Sequence, residues 1–455
     1  VGRNIKKFEV PLNWYCEKFF ITMKQILLFS IFTISIAAHG QFKNIKLAEQ
    51  VDGIYPPLEP SIAINKKNPK NIVAGVVLDR SIYTHDGGET WAETKLESPY
   101  GVYGDPAVIS DAKGHIYFFH LADPSKEGRS NDAWLDRIVS QKSTDGGKSW
   151  SAGESIGNNP PKDQDKQWPA VHPRKQYIYT TWTQFDKYGL KDPNCHSNIM
   201  FSMSTNAGKK WTKAIQINQN PGDCVDDDNT TEGAVPAVDE NGRVYVAWAN
   251  QGNIYFDRSF DGGNTWLTND LLIAKQQAGW SMDIPGISRC NGMPVLMIDQ
   301  SKGRFHGSLY LVWADQSNGN DDTDIWFMKS TNQGDLWTKP MRINQDAPGK
   351  HQFLPWMTVD QGTGYIYIVY YDRRAYDDLQ TDVYLAYSTD GGSTFQEAKI
   401  SESPFIPTES KFFGDYNNID AHKGVIAPIW TRMDDGRTSV WTSIITDSEL
   451  LKKKD

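Results

Sequence analysis

Three acidic residues stand where short apolar segments begin: Glu59 before Pro60-Ser-Ile-Ala, Asp105 before Pro106-Ala-Val, and Asp415 within Gly414-Asp-Tyr416-Asn-Asn-Ile. If those segments converge, the carboxylates share one wall, where repulsion raises at least one pKa or recruits a cation. Such a group suits acid–base chemistry or metal binding; the alternative is that each carboxylate caps the first turn of its own segment. Tyr416 stands beside Asp415. A second set is basic: Arg80, Arg373, Arg374 and Arg432 follow apolar or aromatic runs, and His120 ends another. Gathered guanidinium groups make a bidentate receptor for carboxylate or sulfate, or else they neutralise the Asp residues beside them. Trp168 is a stacking platform for a sugar ring or a piece of core. The clusters Asp226-Asp227-Asp228 and Asp321-Asp322-Thr-Asp324 offer oxygens to a structural Ca²⁺, or simply to solvent. No His/Glu/Cys spacing reads as a zinc site, and no glycine-rich loop reads as a nucleotide cradle, so no cofactor is expected.

The elements that position these residues belong to a repeat, which is the first thing to seek in a long chain. One pattern recurs six times: Ser or Thr, then Asp or Asn two later, Gly four later and an aromatic seven later. It reads Thr84/Asp86/Gly88/Trp91, Ser143/Asp145/Gly147/Trp150, Ser204/Asn206/Gly208/Trp211, Ser259/Asp261/Gly263/Trp266, Ser330/Asn332/Gly334/Trp337 and Ser388/Asp390/Gly392/Phe395. Asp or Asn caps the turn, Gly supplies a positive φ and the ring packs back under the hairpin. Before each copy come a Pro-led apolar strand and a more aromatic one, such as Tyr179-Thr-Thr-Trp182 or Tyr245-Val-Ala-Trp248. A third strand runs into the motif and a fourth leaves it, so each unit is a four-stranded antiparallel blade.

The count of blades follows. After the sixth motif three more strands remain, around Asn417, Val425 and Thr438, and none carries a motif. The isolated segment Asn44-Ile-Lys-Leu-Ala is expected to supply their fourth strand, so the last blade is split between the two ends of the domain and the ring closes without free edges. The expectation is an all-β single propeller of seven blades, with six blades and an added sheet as the alternative. Strand starts and second-strand ends then surround one mouth, opposite the motif turns.

The six motifs resemble the Asp-boxes, or bacterial neuraminidase repeats, of the sialidase-like β-propellers, across nearly all of the chain after residue 40. The resemblance implies a secreted, carbohydrate-active protein, with a glycoside hydrolase acting on an acidic glycan as the leading expectation. In that family three arginines hold a sugar carboxylate, a Tyr paired with Glu attacks the anomeric carbon, and an Asp is acid/base. Here Asp105 would be acid/base, Tyr416 the nucleophile or its helper, and Asp415 and Glu59 their neighbours. Arg80, Arg373, Arg374 and Arg432 would hold the anion. The chain departs from the family where an Arg-Ile-Pro motif is expected, because Glu59-Pro60-Ser61 stands there, which argues against sialidase activity in the strict sense. Two other readings stay open. One is a polysaccharide lyase, with His120 or a Tyr abstracting a proton beside an arginine-neutralised uronate; the other is a non-catalytic glycan- or protein-binding propeller.

Length and composition agree with this frame. The 455 residues include 37 Gly, 16 Trp and 12% aromatics, a mixture suited to many short strands and tight turns. A net charge of −9 argues against nucleic acid as partner. Met23-Lys24, the apolar run Ile26–Ala38 and the small residues around Gly40 read as a signal peptide. Residues 1–40 are therefore expected to be an upstream extension plus an export signal, and 41–455 a single domain, monomeric, secreted or periplasmic and without a membrane span. Cys195 and Cys224 are expected to pair, leaving Cys290.

Overall fold

The computed structural model describes residues 1–2 and 42–452; the expected signal peptide lies outside the described residues. Seven four-stranded antiparallel units make up a seven-bladed β-propeller. Innermost strands, one per blade, are Ser61–Ile64, Ala107–Ser110, Asp163–Val171, Glu232–Val238, Val295–Ile298, Gln352–Val359 and Asn418–His422. Burial follows sequence character. Second strands such as Ile116–Leu121 and Val244–Asn250 are wholly buried, as continuous apolar runs covered on both faces must be. Outermost strands such as Ala92–Lys95 are largely exposed and polar. Tyr117, Tyr179, Tyr245, Tyr310 and Tyr367, at equivalent places in successive second strands, are all fully buried.

The seventh blade is split as expected. Ile45–Glu49 pairs antiparallel with Arg437–Thr442, Ile45 opposite Thr442, and completes Asn418–His422 and Val425–Asp434. The short strand Ile445–Thr446 adds to the latter before a single helical turn, Asp447–Leu451.

Each motif turn is a closed hydrogen-bond circuit. In the first, Thr84 Oγ1 donates to Asp86 at 2.6 Å and accepts from Gly88 N–H at 3.1 Å, while Asp86 Oδ1 accepts from Thr90 N–H at 3.0 Å. Trp91 Nε1–H returns to Gly88 O at 3.2 Å. The same circuit holds Asp261, whose carboxyl is drawn down to about 2; its burial opposes the bonds from Thr265 and Ser259 that favour the charged form. The motif glycine has a second task, since it presses on the preceding blade. Gly263 lies at φ +94°, and a Cβ there would fall inside the ring of Phe201. Gly334 and Gly392 meet Phe256 and Phe327 in the same way. Gly263→Ala is therefore expected to cost about 2–4 kcal/mol, from positive φ plus overpacking. Urea unfolding checks this, and a loss under 0.5 kcal/mol would mean that the blades yield freely at that seam.

Candidate functional site

Where the chain enters each innermost strand it turns sharply, and the charged residues at these turns meet. Glu59, Asp105 and Lys166 hold φ near +50°, a left-handed conformation that costs a non-glycine residue about 1–3 kcal/mol and persists only where surrounding contacts enforce it. They face a cup of about 130 Å³ at the mouth of the ring, lined by Tyr55, Glu59, Tyr103, Asp105, Arg129, Trp134, Asp165, Lys166, Tyr188, Arg289 and Phe412 among others.

The centre of the cluster is an ammonium. Lys166 Nζ lies 2.9 Å from Asp415 and 3.4 Å from Asp105, so the cation that converging carboxylates call for is supplied by the chain itself. Asp415 is further held by Arg289 Nε at 2.9 Å, and Asn291 donates to its carbonyl. Arg289 and Lys166 overcome its burial and hold its carboxyl down at about 2. Arg289 also donates to Asp226 at 2.6 Å, which accepts from Tyr188 OH at 2.6 Å and Trp280 Nε1 at 3.1 Å.

The remaining acids behave oppositely. Burial, then the charges of Asp105 and Asp415, push Glu59 well above the carboxylate range; Glu59 accepts from Asp415 N–H at 3.1 Å. Burial likewise raises Asp165, which shares a hydrogen bond with Asp105. Glu232 is raised by burial and by Asp226, and both its oxygens lack a donor. Six carboxyl groups thus surround Lys166 and Arg289. Glu59, Asp165 and Glu232 favour the protonated form, which relieves the repulsion. Glu232→Gln is expected to leave stability unchanged near pH 4 and to raise it at pH 8. The sign follows from linkage: above the usual carboxylate range the unfolded chain releases a proton that folded Glu232 keeps, so wild-type stability falls by up to about 1.4 kcal/mol per pH unit, while Gln has no such cost. Urea titrations at the two pH values check it, and an equal effect at both would overturn it.

The structure brings Glu59, Asp105, Asp415 and Tyr416 together. Glu59 and Asp105 line the cup, and Asp415 and Tyr416 lie outside its lining. Tyr416 is buried, its hydroxyl lacks a partner, and burial with Asp105 and Glu59 nearby holds it firmly as the neutral phenol. Its ring packs edge-to-face on Trp168 at 5.0 Å between centroids, and Trp168 lies 4.4 Å from Trp356. Trp168 is thus not a platform at the mouth but part of a buried aromatic plug on the axis. Below it a second cavity of about 430 Å³ opens towards the motif face, with aliphatic lining from every blade, among them Ile62, Val108, Val171, Val238, Ile298, Val359 and Ile419.

The four expected arginines and His120 lie outside the cup lining. The second strand of blade 1 ends at Val76, so Arg80 starts the third strand and pairs with Glu93 at 2.7 Å. Arg374 is spent on Asp372 and Glu397, and Arg432 on Asp434 at 2.6 Å and the carbonyls of Ser403 and Pro404. Arg373 is buried over Phe353 and donates to Pro285 O at 2.6 Å; burial without a carboxylate pushes it down to about 10. His120 is sealed between strands, bonded to Leu121 O at 2.7 Å, and burial lowers it to about 4. The acidic clusters are engaged as well, Asp324 with Arg342 and Asn344. Among the described residues no group of three or more His, Cys, Asp or Glu side chains is arranged to hold a metal ion, and no helix is long and apolar enough to cross a membrane. Cys195 and Cys224 form the disulfide, and Cys290 is free and buried.

The BNR/Asp-box repeat family matches residues 82–93, the first motif turn and its flanks. The chain is a seven-bladed β-propeller that carries an Asp-box repeat. Among solved structures, this propeller is similar in fold to a polysaccharide lyase of family PL25, an ulvan lyase, at 11% identity over 89% of this chain and 96% of that one, with a TM-score of 0.50. It is also similar to the GH93 α-L-arabinofuranosidase of Fusarium graminearum (13% identity, 90% and 99% coverage, TM-score 0.49) and to the Hadza microbial sialidase Hz136 (12%, 83% and 73%, 0.48). No curated protein matches the chain. At these identities the likeness is one of fold.

Sequence reasoning missed Lys166, Asp165, Arg289 and Arg129. In blades 1 and 2 the turning residue directly precedes Pro. In blade 3 of the Asp-box propeller a bulge between Asp165 and Trp168 moves it three residues upstream of Pro169. The acidic-basic run Asp163-Gln-Asp165-Lys166 was the available signal.

Proposed function

We propose that this propeller is an exported glycoside hydrolase acting on an acidic glycan. The observation that carries the reading is the Asp105–Asp165 pair: a buried carboxyl, Asp165, whose burial favours the protonated form, hydrogen-bonded to Asp105, which lines an aromatic-walled cup. A proton held by the pair reaches a bound glycosidic oxygen through Asp105. As the bond between anomeric carbon and leaving oxygen breaks, that oxygen takes the proton; water adds to the anomeric carbon and returns a proton to Asp105. Tyr416, buried under the cup, supports Asp105 rather than attacking. Tyr55, Tyr103 and Phe412 provide apolar walls for a sugar face. The preference for an acidic sugar rests on Arg129, which lines the cup and, among the described residues, has no carboxylate partner; it stacks 5.3 Å from both Trp134 and Tyr188. A disulfide suits an oxidising compartment, which supports export.

The test is turnover. Purified protein is incubated with acidic polysaccharides and sialyl conjugates while reducing ends and unsaturated-uronide absorbance are followed. Reducing ends without absorbance are expected, with Asp105→Asn lowering the rate about 10²–10⁴-fold while leaving the unfolding curve in place. Absorbance rising together with reducing ends would replace this reading with the lyase. A second reading, glycan recognition without turnover, is favoured by Lys166, which neutralises Asp105 and Asp415 at rest; binding with no product from any substrate would select it.

A further inference from the structure

The cup is not isolated. Beside it runs a groove of about 870 Å³, walled among others by Leu78, Asp79, Lys95, Tyr103, Asp123 and Lys126. Leu78 and Tyr103 line both spaces, so cup and groove meet at one tyrosine. The volumes are unequal in an informative way: the cup is sized for one sugar ring and the groove for several.

One loop serves both. Asp123 organises it, accepting from Gly128 N–H at 2.9 Å, Ser125 Oγ at 3.2 Å and Asn131 Nδ2 at 3.3 Å. That loop carries Lys126 into the groove wall and Arg129 into the cup wall. Among the described residues neither side chain has a carboxylate partner, whereas the other groove lysine, Lys95, lies 3.5 Å from Asp79. Asp123 is engaged with its own loop, which leaves Glu97 as the groove acid without a cationic partner. Two free cations, three residues apart on one braced loop, therefore address consecutive positions along a path running from groove to cup.

We propose that the ligand is a linear polyanionic glycan lying along this groove, with its terminal unit in the cup and acidic groups of successive units meeting Arg129 and Lys126. This names the substrate of the reading above and rests on it for turnover only, since binding is measured separately. The probes are oligouronates of two, four and six units, a sulfated oligosaccharide series of the same lengths, and carboxyl-reduced oligouronates, with affinity read by calorimetry at two salt concentrations. Affinity is expected to rise at least tenfold from two to six units and to fall with salt in one acidic series. The reduced series is expected to bind at least tenfold more weakly if the oligouronates are the binders. Which acidic series binds decides between carboxylate and sulfate. Lys126→Ala is expected to weaken the six-unit ligand about tenfold and to flatten the length dependence; Arg129→Ala is expected to weaken every length. Affinity independent of length, binding of reduced oligouronates as tight as that of the acidic series, or no binding by either acidic series overturns the proposal. Asp105-dependent turnover of short substrates without length dependence would leave the hydrolase standing and remove the groove; length-dependent binding without turnover would do the reverse.

Discussion

Lys166→Met lowers stability by about 3–5 kcal/mol at neutral pH, the cost of removing one partner from a buried ionic cluster. Lys166 is buried, and its ammonium separates Asp105 from Asp415 while also facing Asp165 and Glu59. Methionine keeps the length of the side chain and removes the charge, leaving Asp415 with Arg289 alone. The loss has a pH signature. Asp415, held at about 2 in the intact protein, contributes stability that is present above the unfolded carboxylate value and disappears as pH falls towards 2. In the variant that contribution shrinks, so the gap between the two proteins narrows below about pH 4, where the stranded carboxylates take up protons. Guanidinium unfolding at pH 7 and pH 3.5 measures both values. A neutral-pH loss below 1 kcal/mol would sink the idea that this ammonium holds the mouth together. Lys166→Met combined with Asp415→Asn should recover part of the loss, because the two sites are in contact and do not add independently.

The second large effect is expected on the axis. Trp168→Ala removes the middle of the plug formed with Trp356 and Tyr416, at about 3–5 kcal/mol for a buried Trp truncated in a close-packed site. Trp168 is 4% exposed, and its neighbours come from blades on other sides of the ring, so local collapse cannot refill the space. The change also removes a wall of the lower cavity. Chemical unfolding reads the energetic part. Faster hydrogen exchange at Asp415 and Tyr416, relative to the blade cores, reads the opening. Exchange at wild-type rates would show that the mouth does not rest on this ring.

The architecture was legible because its signal is local. A hydroxyl, a carboxylate, a glycine and a ring within eight residues are enough to close an Asp-box, so Thr84 to Trp91 declares itself without tertiary information. Spacing then gave the blades, and the leftover segment at Asn44 gave the closure. The meeting of Glu59, Asp105 and Asp415 was also legible, since equivalent positions in neighbouring blades must converge on the axis. Lys166 escaped because a bulge displaced it from the Pro register. Arg289 escaped because it sits on the long connection between Lys275 and Val295, which has no strand pattern. The arginines failed as an anion receptor for a physical reason: Asp372, Asp434 and Glu93 lie within reach of Arg374, Arg432 and Arg80 and neutralise them first.

The seam of the seventh blade sets an order of events in the life of the molecule. A ribosome makes Ile45–Glu49 nearly four hundred residues before its partner Arg437–Thr442. Until then the early strand waits for a mate that does not yet exist, and the ring cannot close. The mouth is unfinished for the same period, because Asp415 arrives with that final blade and Glu59 belongs to the first. Closure of the circle and assembly of the acidic cluster therefore coincide, and a chain halted before the seventh blade carries a site with one wall missing.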